Sequence, residues 1–301
     1  MSTFLQVFIN GAGKGAVYAL LALGFVIIYK STEVINFAHG SIAMAGGYIV
    51  YVLKDPFKSA MGSGLGWTLA ALCGILAAAV LALLIERVLV ANARLASIDA
   101  LAILTIGVDT LLLTEITRRL GTAAAPFLGD PYDAKPIHLG SVTLPKTQTV
   151  ALITALIIIA IFFAAFRLTN WGVSMRAQAE NREASALMGI RSARITAGAW
   201  FLGGALAGVA VLFLATQDFS GAGLSQGTHS IALAAFPAAI IGGLTSPGGA
   251  VLGGFIVGLA EAFSAQYIDL DFSKVAVYLV MLVVLIVRPS GLFGKVVQQR
   301  V

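Results

Sequence analysis

Long apolar runs separated by short polar stretches recur along the whole chain. A membrane-spanning helix needs about 20 mostly apolar residues. Runs of about this length lie at 5–29, 36–53, 67–85, 98–117, 148–167, 195–216, 228–244, 249–267 and 273–288. We therefore predict an all-α integral membrane protein, a polytopic bundle of about eight to nine transmembrane helices with interrupted or short helices. The count is eight if 36–53 or 228–244 is re-entrant.

The composition agrees with a chain that lies mostly in lipid. Hydrophobic residues make up 59% of the 301 positions and charged residues 11%, against about 45–50% and about 25% in soluble domains. We expect one domain over residues 1–301. The net charge of +5 comes from basic residues scattered between the apolar runs, which indicates loops beside a bilayer and predicts no nucleic-acid partner. The single Cys73 excludes an internal disulfide and a cysteine-based metal cluster.

Glycine is abundant, at 33 residues. In lipid, small residues let helix backbones approach each other closely. The pairs Gly204 and Gly208, Gly249 and Gly253, and Gly254 and Gly258 have a spacing that suits this use. We interpret them as packing positions rather than as a dimerisation signal.

The basic residues also predict the orientation of the chain. Segment 168–194 is the richest connection, with Arg176, Arg182, Arg191 and Arg194. Because cytoplasmic loops are enriched in Lys and Arg, we place this segment in the cytoplasm. Alternation of the spans then puts the N-terminus and segment 118–147 outside. The latter contains four prolines and no helical pattern, so we predict an external loop.

Two apolar segments are interrupted by glycine and small polar residues: VINFAHGSIAMAGGY at 34–48 and IIGGLTSPGGAVLGG at 240–254. Interrupted segments in the two halves of a chain are typical of a transport site. Asn36 can cap a helix that runs toward Tyr51, and Ser246 followed by Pro247 is a helix start. We predict that 36–41 and 242–248 line a translocation path, with Asn36, Phe37, His39, Ser41, Gly242, Gly243, Thr245 and Ser246 as its residues. Plain turns between spans would give the same pattern.

Carboxylates inside predicted spans are costly and are candidates for function. Glu115 lies near a span end beside Arg118 and Arg119, and Glu261 falls in span 249–267. Asp109 lies near the middle of span 98–117. We therefore add Asp109 to the predicted substrate path.

The stretch RAQAENREASALMGI at 176–190 is rich in helix-forming residues. It predicts a short amphipathic helix of about 13 residues, about 20 Å long, that stops at Gly189. Such a helix could lie on the bilayer or dock a partner. Its apolar face contains Ala184, Leu187 and Met188, and its charges include Arg182 and Glu183.

Motifs for chemistry are lacking. NGAGKGA at 10–16 does not match a phosphate-binding loop, because Phe8 replaces the first glycine and Gly15 follows Lys14. We expect Lys14 to reach toward the membrane interface. His39, His138 and His229 have no metal-ligand spacing. We predict no catalytic residue, no metal and no cofactor, and a protein that is not an enzyme.

Four stretches resemble the LivH-type permease of branched-chain amino-acid ABC transporters. They are GAVYALLALGFVIIYKSTEVINFAHGSIAMAGGY, IERVLVANAR, MRAQAENREASALMGI and FPAAIIGGLTSPGGAVLGGFIVGLAEAFSA, and the closing RPSGLFG fits too. The resemblance implies an ABC-importer transmembrane domain in the bacterial inner membrane that carries branched-chain or related amino acids. Its partners would be a second, LivM-type permease, two cytoplasmic ATPases that bind the ATP, and a periplasmic substrate-binding protein.

The resemblance also makes 176–190 the segment that couples the permease to its ATPases, with Glu183, Ala184 and Gly189 in docking positions. Asp109 departs from the family pattern, where an uncharged residue is expected. The family also takes up urea, short amides and other small polar solutes, so the solute stays open. Two other classes are a self-sufficient secondary transporter or channel, and a membrane scaffold without transport, which the paired interrupted segments disfavour.

Overall fold

The computed structural model describes residues 2–93, 97–121, 126–129, 137–139, 142–144, 146–217, 219 and 223–294. The helices of these residues are α1 (Ser2–Thr32), α2 (His39–Met61), α3 (Ser63–Leu84), α4 (Ile98–Leu120), α5 (Lys146–Leu168), α6 (Asn170–Glu180), α7 (Arg182–Leu187), α8 (Ser192–Leu214), α9 (Gln226–Leu233), α10 (Ala235–Gly242), α11 (Pro247–Tyr267) and α12 (Phe272–Val287). A π-helical turn, Ile85–Val90, continues α3, and strands β1 (Ile137–Leu139) and β2 (Val142–Leu144) form an antiparallel hairpin.

The prediction of an all-α polytopic membrane protein is confirmed. Within the described residues, six helices are long and apolar enough to cross a membrane: α1, α3 with its π-helical turn, α4, α5, α8 and α11. The other three predicted spans do not meet this criterion, and only one of them, 228–244, is interrupted. α2 contains Lys54, Asp55 and Lys58 in its second half, and α12 has 16 residues. The predicted span 228–244 is divided into α9 and α10, with eight residues each.

Segment 118–147 is described in part. α4 continues through it to Leu120, α5 begins at Lys146, and the β1–β2 hairpin lies between them. The backbone at Pro126 and Leu128 joins the end of α8, because Leu128 donates to the carbonyl of Ala215 and Leu224 donates to that of Pro126. Residues 122–125, 130–136, 140, 141 and 145 of the predicted loop lie outside the described residues.

Helix α1 forms the centre of the bundle. Of its most apolar window, 89% is buried inside the protein, and it packs on α5, α8, α10 and α11. A helix that is apolar on all sides is stable only when it is enclosed. The outer helices α4 and α5 bury only 17% and 28% of their windows, so their other faces are available to lipid or to further subunits.

The three glycine pairs lie at close contacts between helices, as their spacing predicted. A Cβ atom on Gly204 or Gly208 would meet α3 at Ala78. On α11, Gly253 lies against the backbone of α10, and Gly258 lies against the backbone of α1 at Gly15. Because the approach is between backbones, it fixes the spacing of these helices and leaves no room for side chains.

Lys14 pairs with a carboxylate of α11. Its Nζ atom lies 2.6 Å from Oε1 of Glu261, and the Tyr18 hydroxyl donates to Oε2 of the same carboxylate at 2.5 Å. That Lys14 reaches toward the membrane interface stays a prediction. Such pairing is the usual way to accommodate charges at membrane depth. Glu261 thus joins α11 to α1, and its surroundings favour a role in packing.

We predict that Gly258→Ala loosens the contact between α1 and α11. The added methyl group would collide with the Gly15 backbone, and overpacking of this kind costs about 1–3 kcal/mol. The thermal midpoint of the purified protein should fall. Gly248→Ala is the matched control, since it lies in the same helix with nothing within 4 Å of its added Cβ. An unchanged midpoint for Gly258→Ala would contradict the packing argument.

Candidate functional site

The chain between α1 and α2 enters the bundle without helical structure. Asn36 and Ala38 are buried, so the backbone groups of this segment need partners inside the protein. Thr105 of α4 contributes to this: its hydroxyl oxygen accepts from the Phe37 N–H at 3.1 Å and lies 3.2 Å from the Ile35 carbonyl and 2.8 Å from the Ala102 carbonyl, either of which can accept its single proton. One side chain of α4 thus stabilises the interrupted segment.

The expected helix cap at Asn36 needs correction. Its Oδ1 accepts from the Ala38 N–H at 3.1 Å, and α2 begins one residue later, at His39. Asn36 thus closes a turn before the helix rather than capping the helix itself. α2 also extends to Met61, beyond the expected end near Tyr51. The side chain of Ser41, in the first turn, is buried and donates to the Ala38 carbonyl at 3.0 Å.

His39 packs between α1 and the interior. Its side chain is fully buried, and its ring centroid lies 4.4 Å from that of Phe25. On α1, only a glycine at position 24 leaves space for the imidazole. Within the described part of the chain, neither ring nitrogen makes a hydrogen bond of normal geometry, although the Leu21 carbonyl lies close enough to interact. A buried imidazole without a full set of partners is costly, which marks it as a candidate for ligand contact.

The break between α9 and α10 faces the same region. Phe236, in the first turn of α10, lies 5.7 Å from Phe25 and 5.6 Å from Phe37, measured between ring centroids. The aromatic side chains therefore connect α1, the interrupted segment and α10 in one cluster. It gives the centre of the site an apolar, close-packed wall.

Asp109 pairs with a histidine of α9. Its Oδ1 lies 2.9 Å from Nε2 of His229, and the two side chains are 15% and 8% exposed. The His229 ring also packs against α2, where Gly40 leaves room for it. The carboxylate therefore faces protein and not lipid, as expected for a charge at this depth.

These groups form the candidate site: Asn36, Phe37, His39 and Ser41 with the Asp109–His229 pair. It can offer a carboxylate, two imidazoles and an aromatic wall to a small polar solute. In this conformation the site is closed, because His39 is fully buried. Among the described residues, no group of three or more His, Cys, Asp or Glu side chains is placed to hold a metal ion.

The 242–248 turn contacts other residues than the 36–41 segment does. Gly243 has a φ of +99°, and its space is limited by the backbone of Ser290 and Gly294. Phe293 donates to the Gly242 carbonyl at 3.1 Å, and Lys30 Nζ donates to the Thr245 carbonyl at 3.1 Å. The predicted helix start is confirmed: the Ser246 hydroxyl accepts from the Gly249 N–H at 3.1 Å, and Pro247 follows it. That this turn lines the path together with 36–41 stays a prediction.

The predicted single helix over 176–190 was wrong. Two helices, α6 and α7, meet at Asn181, whose backbone is extended and whose Oδ1 accepts from the Ala184 N–H at 2.9 Å. Asparagine is a strong N-cap residue, so this position could have indicated the break. Gly189 follows α7 with a φ of +82°, as the predicted turn requires.

The apolar side chains of α7 point away from the bundle. Leu187 is 88% exposed and Met188 is 83% exposed. Arg182, Glu183 and Ala184 are exposed as well. The preceding helix α6 is attached to the bundle, where Gln178 donates to the Ser31 carbonyl at 3.1 Å. α7 thus protrudes from the bundle with exposed apolar side chains.

Sequence reasoning missed several of the groups that form the candidate site. It considered His229 only as a metal ligand, and it did not single out Thr105, Phe25 or Phe236. The signal for His229 was its place in an apolar run, because a polar side chain there needs a partner. Nothing in the sequence indicated that the partner would be Asp109, 120 positions earlier.

Comparisons with known proteins agree with this architecture. The family model described as "Branched-chain amino acid transport system / permease component" matches residues 7–286. The LivH permease protein of the high-affinity branched-chain amino acid transport system of Escherichia coli (strain K12) is 31% identical over 299 residues, covering 97% of this chain and 96% of its own length. No solved structure matches.

Two further organisms have similar proteins. The BraD permease protein of Pseudomonas aeruginosa is 30% identical, with 97% of this chain and 96% of its own length covered. A probable LivH permease of Methanocaldococcus jannaschii is 30% identical, with 91% and 88% covered. These relatives are transporter subunits and not enzymes. With its apolar helices, its interrupted segments and matches along nearly its whole length, the chain is a multi-pass membrane protein that belongs to the permease-component family of branched-chain amino acid transport systems.

Proposed function

We propose that this chain is the permease subunit of a binding-protein-dependent ABC importer in the bacterial inner membrane, and that it carries branched-chain or related amino acids. The observation that carries the proposal is the meeting of two helix interruptions around buried polar groups. α2 begins inside the bundle beside Thr105, and the α9–α10 break brings His229 and Phe236 to the same place. Non-helical backbone at membrane depth is tolerated only inside protein or beside a cavity.

The polar groups suit a zwitterion with an apolar side chain. Asp109 can attract an ammonium group once His229 moves away from it, because the two are paired at 2.9 Å. The start of α2 carries the partial positive charge of a helix N-terminus, which favours a carboxylate. The Phe25, Phe37 and Phe236 rings would contact the aliphatic part. Opening of the closed site would expose the Asp109 carboxylate, the start of α2 and the three aromatic rings to the solute together.

The proposed partners rest on the family to which the chain belongs. Hydrolysis of ATP would come from two cytoplasmic ATPases that dock on α7, and a periplasmic binding protein would deliver the solute. A second, related permease would complete the membrane part. The protruding α7, with Leu187 and Met188 exposed, supports the docking role, because helix-in-groove contacts use an apolar face with charges beside it.

Reconstitution tests this function. The permease is placed in liposomes with the related permease and the ATPases, and uptake of labelled leucine, isoleucine and valine is measured. We expect uptake that requires the binding protein and ATP. Uptake of urea or short amides in place of amino acids would reassign the solute within the family. Uptake by this chain alone with an ion gradient would instead identify a secondary transporter.

We predict that Asp109→Asn lowers leucine uptake about tenfold or changes the solute preference. The amide can keep the hydrogen bond to His229 but loses the charge for an ammonium group, and about 1.4 kcal/mol corresponds to a factor of ten. Initial rates over a panel of solutes measure the effect, with assembly checked by gel filtration.

Glu115→Gln is the control for this change, because Glu115 lies on the same helix but pairs with Arg118 and Arg119 at its exposed end. It should transport like the parent. If Asp109→Asn assembles and transports the whole panel at parental rates, Asp109 has no special role in the path.

We predict that Gly189→Val and Glu183→Lys weaken ATPase docking while insertion and pairing with the second permease persist. Gly189 has a φ of +82°, which valine tolerates poorly, so the turn after α7 would shift. Loss of a central interface contact costs about 2 kcal/mol or more, which is about 30-fold in affinity. ATPase retention on purification and substrate-stimulated hydrolysis are the measurements.

Gly121→Val is the matched control for backbone strain. Gly121 has a φ of +74° and open space, like Gly189, but it ends α4 instead of α7. It should retain the ATPases. Normal retention and normal transport by both α7 variants would show that α7 is a solvated surface helix without a coupling role.

A further inference from the structure

A cleft of about 340 Å³ lies beside α7, apart from the site described above. Five parts of the chain form it: the end of α1, the π-helical turn, and the starts of α4, α7 and α8. Charged groups of both signs line it, namely Glu33, Glu86 and Arg182. The proposed importer mechanism gives none of the cleft's carboxylates a role.

Glu86 is the unusual group of this cleft. Its side chain is 2% exposed. Oε1 accepts from the Thr196 hydroxyl at 3.1 Å, while Oε2 has no hydrogen-bond partner among the described residues. Oε2 forms an ion pair with Nε of Arg87 at 3.6 Å, and the Arg87 side chain is half exposed. A buried carboxylate oxygen without a hydrogen bond is costly, so Oε2 is available to a donor from a ligand.

The π-helical turn explains how a carboxylate comes to lie here. Such turns widen a helix locally and occur often at functional sites. Ile85–Val90 forms one at the end of α3, and Glu86 lies within it while Val90 lines the same cleft. Glu33, the residue that follows α1, also lines the cleft and has a φ of +60°. This conformation is uncommon for a residue with a side chain.

Arg182 decides the class of ligand. It is exposed on the first turn of α7 and lines the cleft with the two glutamates. A site for a simple cation would not need a guanidinium group, and a site for a simple anion would not place two carboxylates beside it. A guanidinium binds carboxylates well, and Glu86 can accept from an ammonium. Together these groups match a molecule that carries both charges.

The remaining wall is apolar. Val34, Val90 and Leu101 are buried, and Ile98 is partly exposed at the rim. The volume is at the lower end of the range of small-molecule sites, which is about 300–1,000 Å³. A compact ligand with an aliphatic side chain would therefore fill the cleft.

We propose that this cleft is a second amino-acid site, which binds a free zwitterionic α-amino acid with an aliphatic side chain from the side of the membrane where α7 lies. The ammonium group binds Glu86, the carboxylate binds Arg182, and the side chain lies against Val34, Val90 and Leu101. The choice of amino acids rests on the proposed function. Because the ligand would link α7 to the π-helical turn and α8, occupancy would restrain the segment that docks the ATPases. The transported product could thus act on its own importer.

The test measures how readily a thiol reagent reaches a cysteine placed at the edge of the cleft. Ile98→Cys is made in a Cys73→Ala background, and its rate of reaction with a maleimide is measured in the purified full-length protein without binding protein or ATP. We expect leucine at ten times its Kd to slow the reaction about tenfold, by mass action. Isopentylamine, which lacks the carboxylate, and 4-methylpentanoate, which lacks the ammonium group, should each protect far less.

Substitutions of the lining residues test whether the protection by leucine comes from this cleft. Glu86→Gln and Arg182→Gln should each remove the protection by leucine. Asp99→Asn is the matched control, because Asp99 is an exposed carboxylate in the first turn of α4 that does not line the cleft. It should keep the protection. Arg182 is exposed, so its variant tests the proposal even if the buried Glu86→Gln fails to fold.

The outcomes are distinguishable from those of the uptake assay. Absence of protection by leucine, or equal protection in Arg182→Gln, overturns the second site even where uptake is normal. Equal protection by isopentylamine and leucine would indicate a cation site and also overturn the proposal. Protection that depends on Glu86 and Arg182 supports the second site even if uptake reveals a different transported solute.

Discussion

Every polar group of the backbone must find a partner inside this protein, because lipid offers none. Regular helices meet this demand by themselves, so each departure from a helix must be supported by a neighbouring element. Thr105 of α4 supports the segment before α2, and residues 290–294 support the turn between α10 and α11. Irregular backbone can persist only where such support exists. The interruptions, the buried polar side chains and the candidate site are therefore found together.

The same demand explains why α1 lies at the centre. The helices that carry interruptions need a rigid wall to pack on, and α1 provides an unbroken one. Its contact with α11 is between backbones, through Gly15 and Gly258. The pairing of Lys14 with Glu261 fixes the same two helices by charge. Because close packing and a buried ion pair act on one interface, movement of α1 against α11 would be costly.

The hydrophobic pattern was sufficient to predict the class of fold, the approximate spans and the packing role of the glycine pairs, since these depend on local composition and spacing. It also located the 36–41 interruption and the Ser246 helix start. It failed for the Asn36 cap and for the division of 176–190 at Asn181, and it did not indicate the partner of Lys14. Lys14 pairs with a residue 247 positions away, and Asp109 pairs with one 120 positions away. Such pairs depend on which helices become neighbours, and one sequence contains no direct record of that.

The two clusters of polar groups differ in how they can respond to a ligand. In the proposed path, Asp109 and His229 already pair with each other, so a solute that bound Asp109 would gain only the difference between old and new contacts. In the cleft beside α7, Glu86 Oε2 has an ion-pair contact with the half-exposed Arg87 but no hydrogen bond among the described residues, so a ligand would add a hydrogen bond there without breaking one. The Asp109–His229 pair would favour release of a bound solute. The buried Glu86 carboxylate would favour retention of a ligand, and the cleft lies next to the segment where we propose that the ATPases dock.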